Sequence, residues 1–189
     1  MRELSMEASM VTIRHELVSD VPAREALLDR AFGKRRRAKT SERLREGRVP
    51  SEGLAFTAVD GKGRLIGTIR LWDVVAGSAG PALLLGPVAV DGKQQGKGIG
   101  AALVQRALNE VRVKGHAAVI LVGDASYYAR FGFAPSLMAD LHLPGPVDRD
   151  RFLGIELIPG ALDGAEGLIT GSGRREVPQQ QAARDGALT

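Results

Sequence analysis

Residues 83–100 decide the fold; they read Leu83-Leu84-Leu85-Gly86-Pro87-Val88-Ala89-Val90, then Asp91-Gly92-Lys93-Gln94, then Gln95-Gly96-Lys97-Gly98-Ile99-Gly100. The first part predicts a buried strand, and the glycine-rich part predicts a loop that opens a helix. Because its three glycines lack a Cβ, backbone N–H groups can come close to a ligand. Such groups at a helix N-terminus favour an anion. We therefore predict a diphosphate cradle, to which Lys93 and Lys97 add positive charge.

The segment behind the loop predicts an amphipathic helix. Its apolar residues form two neighbouring rows at i, i+4 and i, i+3 spacing, Ile99, Leu103 and Ala107 in one and Val104, Leu108 and Val111 in the other. Lys114-Gly115 supplies a last-turn cation and a C-cap glycine, so the helix is expected to end there.

Two familiar phosphate loops fit this stretch poorly. A Walker A loop requires Ser or Thr after Gly-Lys, and neither follows here. Gly96-x-Gly98-x-x-Ala101 matches a loose form of the Rossmann fingerprint, but that motif normally opens its domain. The acidic residue expected further on would fall within residues 116–120, which contain no carboxylate.

A third pattern fits better. Gln95-x-x-Gly98-x-Gly100 resembles the Gln/Arg-x-x-Gly-x-Gly/Ala signature of the GNAT superfamily of N-acetyltransferases, which bind acetyl coenzyme A. Tyr128-Ala129-Arg130-Phe131-Gly132-Phe133 resembles the Tyr-x-x-x-Gly-Phe element of the same superfamily. The Leu85–Val90 strand and the Gly-Asp and Tyr-Tyr pairs are similar to the YhbS-like branch of predicted N-acetyltransferases. The resemblance covers roughly Val11 to Leu162.

The resemblance implies an α/β fold, in which a splayed mixed sheet of about seven strands is flanked by helices. It also implies acetyl-CoA as cosubstrate and an unidentified amine as acceptor. The implied coenzyme-binding positions are Val88, Ala89, Val90, Gln95, Gly96, Lys97, Gly98, Ile99, Gly100 and Ala101.

Gly86-Pro87 predicts an irregularity inside the Leu83 strand. Proline cannot donate to a ladder, and glycine in a strand often marks a bulge, so this strand should diverge from its next neighbour. The gap would expose backbone groups to an extended ligand. In the family resembled, the pantetheine arm occupies such a gap and bonds groups matching Val88 and Val90. One N–H there polarises the thioester carbonyl, and this assigns a catalytic role to Val88.

Acetyl transfer from a thioester requires an acid for the leaving thiolate and a neutral amine. Tyr128 aligns with the tyrosine that donates this proton in the family, and Tyr127 is the alternative. The base stays open among Asp124, Glu52, Asp73 and water.

Composition excludes several classes of protein. The chain has 189 residues, 44% of them hydrophobic, which suits one domain with a full core. It has no cysteine, so disulfides and thiolate sites are impossible. No His/Asp/Glu spacing suggests a metal. No apolar run approaches a membrane span and no signal peptide is visible, so we expect a cytoplasmic monomer or homodimer.

The charge of +4 and pI near 9.8 leave a nucleic-acid-binding domain as a weak alternative. Its candidate is Lys34-Arg35-Arg36-Arg37, which we interpret as a solvated loop. The second alternative is an acyl-CoA-binding sensor without turnover.

The remaining elements are predicted from periodicity and turn residues. Residues 11–16 predict an edge strand, and a helix should follow from residue 20 to Phe32-Gly33. Strands are further expected at 54–59 and 65–74, joined by the Asp60–Gly63 turn, at 117–122 parallel to the Leu83 strand, from Phe133, and finally at 152–158. We divide the chain into a flexible N-terminus (1–10), the acetyltransferase domain (11–170) and a disordered tail (171–189).

Overall fold

Eight strands pair into one mixed sheet in the computed structural model, which describes residues 10–177. The strands are β1 (Thr12–His15), β2 (Ala55–Val59), β3 (Leu65–Ala76), β4 (Pro81–Val90), β5 (Ala118–Val122), β6 (Asp140–His142), β7 (Phe152–Glu156) and β8 (Glu166–Gly171). The helices are α1 (Val21–Phe32), α2 (Ile99–Val113) and the short α3 (Ala125–Tyr128). The predicted α/β fold is therefore confirmed, with about one strand more than expected.

The order across the sheet is β1-β2-β3-β4-β5-β7, and β8 pairs with the end of β3 and with β6. The β2–β3 hairpin turns at the predicted Asp60–Gly63 segment, where the Gly63 N–H donates to the Asp60 carbonyl at 2.8 Å. β4 and β5 run parallel, as predicted, with α2 as the crossover between them. β1 forms the predicted edge.

Two hydrophobic cores cover the two faces of the sheet. All six residues of the predicted apolar rows of α2 are buried, and they pack on one face with side chains such as Phe56, Leu71 and Leu121. The opposite face carries Trp72, Ile120 and Phe152 beneath the segments around β6 and β8. α1 lies on that same second side, with Leu27 and Leu28 against Ala89.

The structure corrects the C-terminal half of the prediction. Phe133 does not begin a strand; Ala134 forms only an isolated bridge with Gly154, since Pro135 follows and opens a 3-10 turn. β7 is not the last strand, because β8 follows it.

The predicted tail also begins too early. Gly171 belongs to β8, and the N–H groups of Ser172 and Gly173 donate to the Asp73 carbonyl at 3.0 and 3.1 Å. The backbone of Arg175 forms an isolated antiparallel β-bridge with that of Arg48. The remainder of the predicted tail, residues 178–189, and most of the predicted flexible N-terminus lie outside the described residues.

Candidate active site

β4 and β5 separate after only two paired positions. Leu83 pairs with Val119 and Leu84 with Ile120, and the parallel ladder ends there. β5 continues to Val122 and pairs with β7 along its whole length, while β4 continues to Val90 alongside β3. A gap therefore opens between the two strands, as the sequence predicts.

A bulge at Gly86-Pro87 coincides with the start of this gap. Leu71 of β3 pairs with Leu85, and Ile69 pairs with Val88, so Arg70 alone faces the two residues Gly86 and Pro87. Gly86 has φ of 125°, a conformation that residues with a Cβ rarely adopt. The bulge predicted from the Gly-Pro pair is confirmed.

The backbone beyond the bulge presents two N–H groups to the gap. The Asp91 N–H donates to the Ile66 carbonyl of β3 at 2.8 Å. Because N–H directions alternate along a strand, the N–H of Ala89 also points toward β3, whereas those of Val88 and Val90 point toward the gap. The backbone of Ala89 is therefore turned away from the gap, and its side chain is buried against α1.

The glycine-rich loop leaves the N-terminus of α2 uncapped. Gly98 is the N-cap residue, with φ of 78°, and no side chain caps the helix. The first N–H groups of α2, from Ile99 through Ala101, lack intrahelical partners. An added Cβ at Gly96 or Gly98 would meet no atom within 4 Å, so the space beside these two glycines is open. Free N–H groups at a helix N-terminus favour an anion.

The side chains of the loop contribute differently. Gln95 and Lys97 are exposed, and Lys97 Nζ donates to Gln94 Oε1 at 2.9 Å. Ile99 is buried in the core, so only its backbone faces the loop.

The two adjacent tyrosines point to different places. An added Cβ at Gly100 would lie 3.3 Å from the Tyr127 hydroxyl, so Tyr127 reaches toward the first turn of α2. The ring of Tyr128 lies against Gly123, where a Cβ would come within 2.4 Å of its Cε2 atom. Tyr128 lines the cleft that also contains Val88. Tyr128 and Val88 thus line the same cleft, whereas Tyr127 is not among its lining residues although its ring lies 5.0 Å from that of Tyr128.

The environment of Tyr128 keeps its phenol protonated. Burial raises the pKa of Tyr128 to about 12, the neighbouring Tyr127 adds to the shift, and the Arg151 guanidinium partly opposes it. At neutral pH the phenol therefore carries its proton.

The cleft has a volume of about 670 Å³. Its floor is the gap, with Leu84 to Val88 on one side and Val122 to Asp124 on the other. Its other walls are the 3-10 segment at residues 34–45 and the loop at residues 143–151. Thr40 Oγ1 donates to the Pro146 carbonyl at 2.8 Å, and this hydrogen bond joins the two walls. Sequence reasoning expects the acceptor pocket among the early helices and late loops, but it does not identify these residues, nor Arg151 beside Tyr128.

The three carboxylates considered as bases are placed unequally. Asp124 lines the cleft and caps α3, accepting from Ser126 Oγ at 2.5 Å and the Tyr127 N–H at 3.0 Å. The Ser126 hydrogen bond, followed by that from Tyr127, lowers the pKa of Asp124. Asp73 binds Ser51 Oγ at 2.8 Å, and neither it nor the exposed Glu52 lines the cleft.

The basic run is not a uniformly solvated loop, as we had interpreted it. Residues 34–38 form a 3-10 turn in which Arg36 is only 8% exposed. Its guanidinium binds Asp29 Oδ1 at 2.8 Å and also pairs with Glu25. Lys34, Arg35 and Arg37 are exposed.

Stability should distinguish Arg36 from its neighbours. Arg36→Ala removes hydrogen bonds to two carboxylates, and we expect a loss of about 2 kcal/mol in the free energy of unfolding. Replacing Lys34, Arg35 and Arg37 together with alanine is the matched control and should change it by less than about 0.5 kcal/mol. Urea unfolding measures both. If Arg36→Ala lowered the free energy of unfolding no more than the triple variant does, the ion pairs of Arg36 would contribute little to stability.

Among residues 10–177 no helix has the length and apolar character that crossing a membrane requires. The same residues contain no group of three or more His, Asp and Glu side chains able to hold a metal ion.

Comparison with known proteins agrees with this geometry. Residues 12–136 match the family described as the acetyltransferase (GNAT) domain. The uncharacterized N-acetyltransferase YhbS of Escherichia coli (strain K12) is 35% identical over 158 residues, covering 83% of this chain and 93% of that protein.

Solved structures show the same relationship. YhbS from Escherichia coli in complex with CoA superimposes with a TM-score of 0.73 at 32% identity, over 87% of this chain and 91% of that one. A GNAT family acetyltransferase from Brucella melitensis in complex with acetyl-CoA gives a TM-score of 0.62 at 26% identity, over 87% and 97% of the two chains. The protein described here therefore belongs to the GNAT superfamily of N-acetyltransferases.

Proposed function

We propose that this enzyme transfers an acetyl group from acetyl-CoA, bound in the gap between β4 and β5, to an amine. The observation that carries the proposal is the alignment of three features along this gap. The uncapped N-terminus of α2 follows the free end of β4, the N–H groups of Val88 and Val90 line the gap, and Tyr128 lines the same cleft as Val88. The relatives with bound CoA and acetyl-CoA support this choice of ligand.

In the proposed site, different residues bind the diphosphate and the pantetheine arm of the coenzyme. The N–H groups from Gly96 to Ala101 would hold the diphosphate, where the helix dipole and Lys97 favour negative charge. Val88 and Val90 would bond the pantetheine amides and the thioester, in the manner of an added strand. In this scheme the Ala89 side chain packs against α1 and does not contact the ligand.

The proposed reaction is a direct transfer. The neutral amine attacks the thioester carbonyl, and the Val88 N–H stabilises the developing oxyanion. As the new C–N bond forms and the C–S bond breaks, the thiolate takes the proton of the Tyr128 phenol. The phenolate then recovers a proton from solvent. We assign the proton lost by the amine to water, because the lowered pKa of Asp124 makes it a weak base.

Release of free CoA thiol from acetyl-CoA, measured with a panel of small amines and peptides, tests this function. Amine-dependent release at a rate above acetyl-CoA hydrolysis is expected for at least one acceptor class. Saturable binding of acetyl-CoA without release in any condition would instead favour the sensor alternative. Salt-dependent binding to DNA or RNA in the absence of coenzyme binding would favour the nucleic-acid alternative.

A further inference from the structure

The Gly86 carbonyl accepts two side-chain hydrogen bonds at the start of the gap. Trp72 Nε1 donates to it at 2.7 Å, and Arg45 Nη1 donates at 2.9 Å. The bulge removes Gly86 from register with β3, and the ladder to β5 ends at Leu84. Both lone pairs of this carbonyl are thus satisfied by side chains from two other elements.

Both donors are themselves held in place. The Arg45 side chain is 9% exposed, and its Nε and Nη2 atoms bind Glu42 Oε2 at 2.8 and 2.7 Å. Trp72 is 7% exposed, and the Arg70 guanidinium lies 5.7 Å from the centroid of its ring. Arg70 pairs in turn with Glu16. Two separate networks of charged side chains therefore converge on one backbone oxygen.

The Gly86-Pro87 peptide, whose carbonyl accepts these two hydrogen bonds, determines the orientation of the peptide that contains the Val88 N–H. The proline ring restricts the φ of Pro87 to about −65°. Only the ψ angle of Pro87 then separates the held Gly86-Pro87 peptide from the plane that contains the Val88 N–H. If the Gly86-Pro87 peptide plane rotated while the ψ angle of Pro87 stayed the same, the Val88 N–H would rotate with it.

We propose that Trp72 and Arg45 are positioning residues that orient the Val88 N–H toward the thioester carbonyl. The inference rests on the proposed function, since it places that carbonyl at Val88. Arg45 also lines the cleft, whereas Trp72 lies outside its lining, in the core on the other side of its β-strand partner Leu84. Trp72 therefore offers the cleaner test.

Trp72→Phe removes the indole N–H and keeps an aromatic ring in the core. The test is isotope-edited infrared spectroscopy of bound [1-¹³C]acetyl-CoA, whose carbonyl stretch falls when a hydrogen bond polarises it. We expect a lowered stretch on the wild-type enzyme and a shift back toward the free value on Trp72→Phe. The kcat should fall roughly tenfold with the KM for acetyl-CoA within about twofold, a smaller loss than removal of an oxyanion donor would cause.

Two further variants keep the test decisive. Val111→Ala removes buried methyl groups from α2, so it lowers stability without touching Gly86 and should leave the stretch unchanged. Arg45→Met removes the second donor and should shift the stretch in the same direction as Trp72→Phe. If Trp72→Phe does not fold, Arg45→Met provides the test instead. A wild-type carbonyl without polarisation would overturn the placement of the thioester and the positioning role with it. A polarised wild-type carbonyl that both variants preserve would overturn the positioning role alone.

Discussion

Gly98→Asp should fold and should lose the stabilisation that acetyl-CoA gives to the wild-type protein. Saturation at about 100 times the Kd adds about 2.7 kcal/mol to the free energy of unfolding, which is a readily measured rise in melting temperature. Gly98 is the N-cap residue of α2, and the space beside its Cα is open. A carboxylate placed there would occupy the helix donors and repel a diphosphate.

Gly98→Asn is the matched control for shape and backbone strain. Gly98 has φ of 78°, a region that both Asn and Asp tolerate better than other residues with a Cβ, so the two variants should have similar stability without ligand. Only the aspartate adds negative charge. We expect the asparagine variant to keep a reduced shift in melting temperature and the aspartate variant to show none. Wild-type stabilisation of Gly98→Asp would place the phosphate site elsewhere.

Tyr128→Phe should bind acetyl-CoA nearly normally and lose roughly 10²-fold or more in kcat, the low end for a positioned acid. The change keeps the ring that packs against Gly123 and lies edge-on to Phe133, so folding should be preserved. The hydroxyl is the only group lost. Steady-state release of CoA thiol with an accepted amine, or acetyl-CoA hydrolysis without one, measures the loss.

Tyr127→Phe is the internal control for the adjacent ring. Its hydroxyl lies by Gly100 in the first turn of α2, so its removal should act on the KM for acetyl-CoA more than on kcat. A large loss of kcat in Tyr127→Phe with full turnover in Tyr128→Phe would move the acid one residue upstream. Full turnover in both variants would show that no tyrosine serves as the acid.

The central part of the fold is predictable because local signals agree there. The glycine loop, the two apolar rows of α2 and the Gly86-Pro87 pair each specify one structure, and the structure contains all three. Asp124 caps α3 through an equally local hydrogen bond, accepted from the Tyr127 N–H. Such residues act through their own backbone geometry or a neighbour a few positions away.

The C-terminal part is not predictable in this way because its structure depends on distant partners. β8 contains Gly167 and Gly171 within six residues, a composition typical of a loop, and it becomes a strand by pairing with β3 and β6. Its close approach is visible at Gly77, where an added Cβ would lie 2.0 Å from the Glu166 carbonyl oxygen. Arg36 was misassigned similarly, because its partners Glu25 and Asp29 belong to α1.

The site was only partly accessible to sequence reasoning for a related cause. Trp72 packs in the core, but its buried indole N–H also requires an acceptor, and a bulge leaves a carbonyl in need of donors. The sequence therefore allows the prediction that the Trp72 N–H donates to the carbonyl at the bulge. Arg45 and the walls of the cleft could not be predicted, since nothing local places residues 34–45 beside residues 143–151.

A crystal structure of the protein with acetyl-CoA tests the central claim most directly. The account predicts electron density for the diphosphate against the N–H groups of residues 96–101 and for the pantetheine arm between β4 and β5. The thioester carbonyl should lie within hydrogen-bond distance of the Val88 N–H, with its sulfur beside the Tyr128 hydroxyl. Ordered acetyl-CoA outside this gap, or an empty gap at saturating acetyl-CoA, would contradict it.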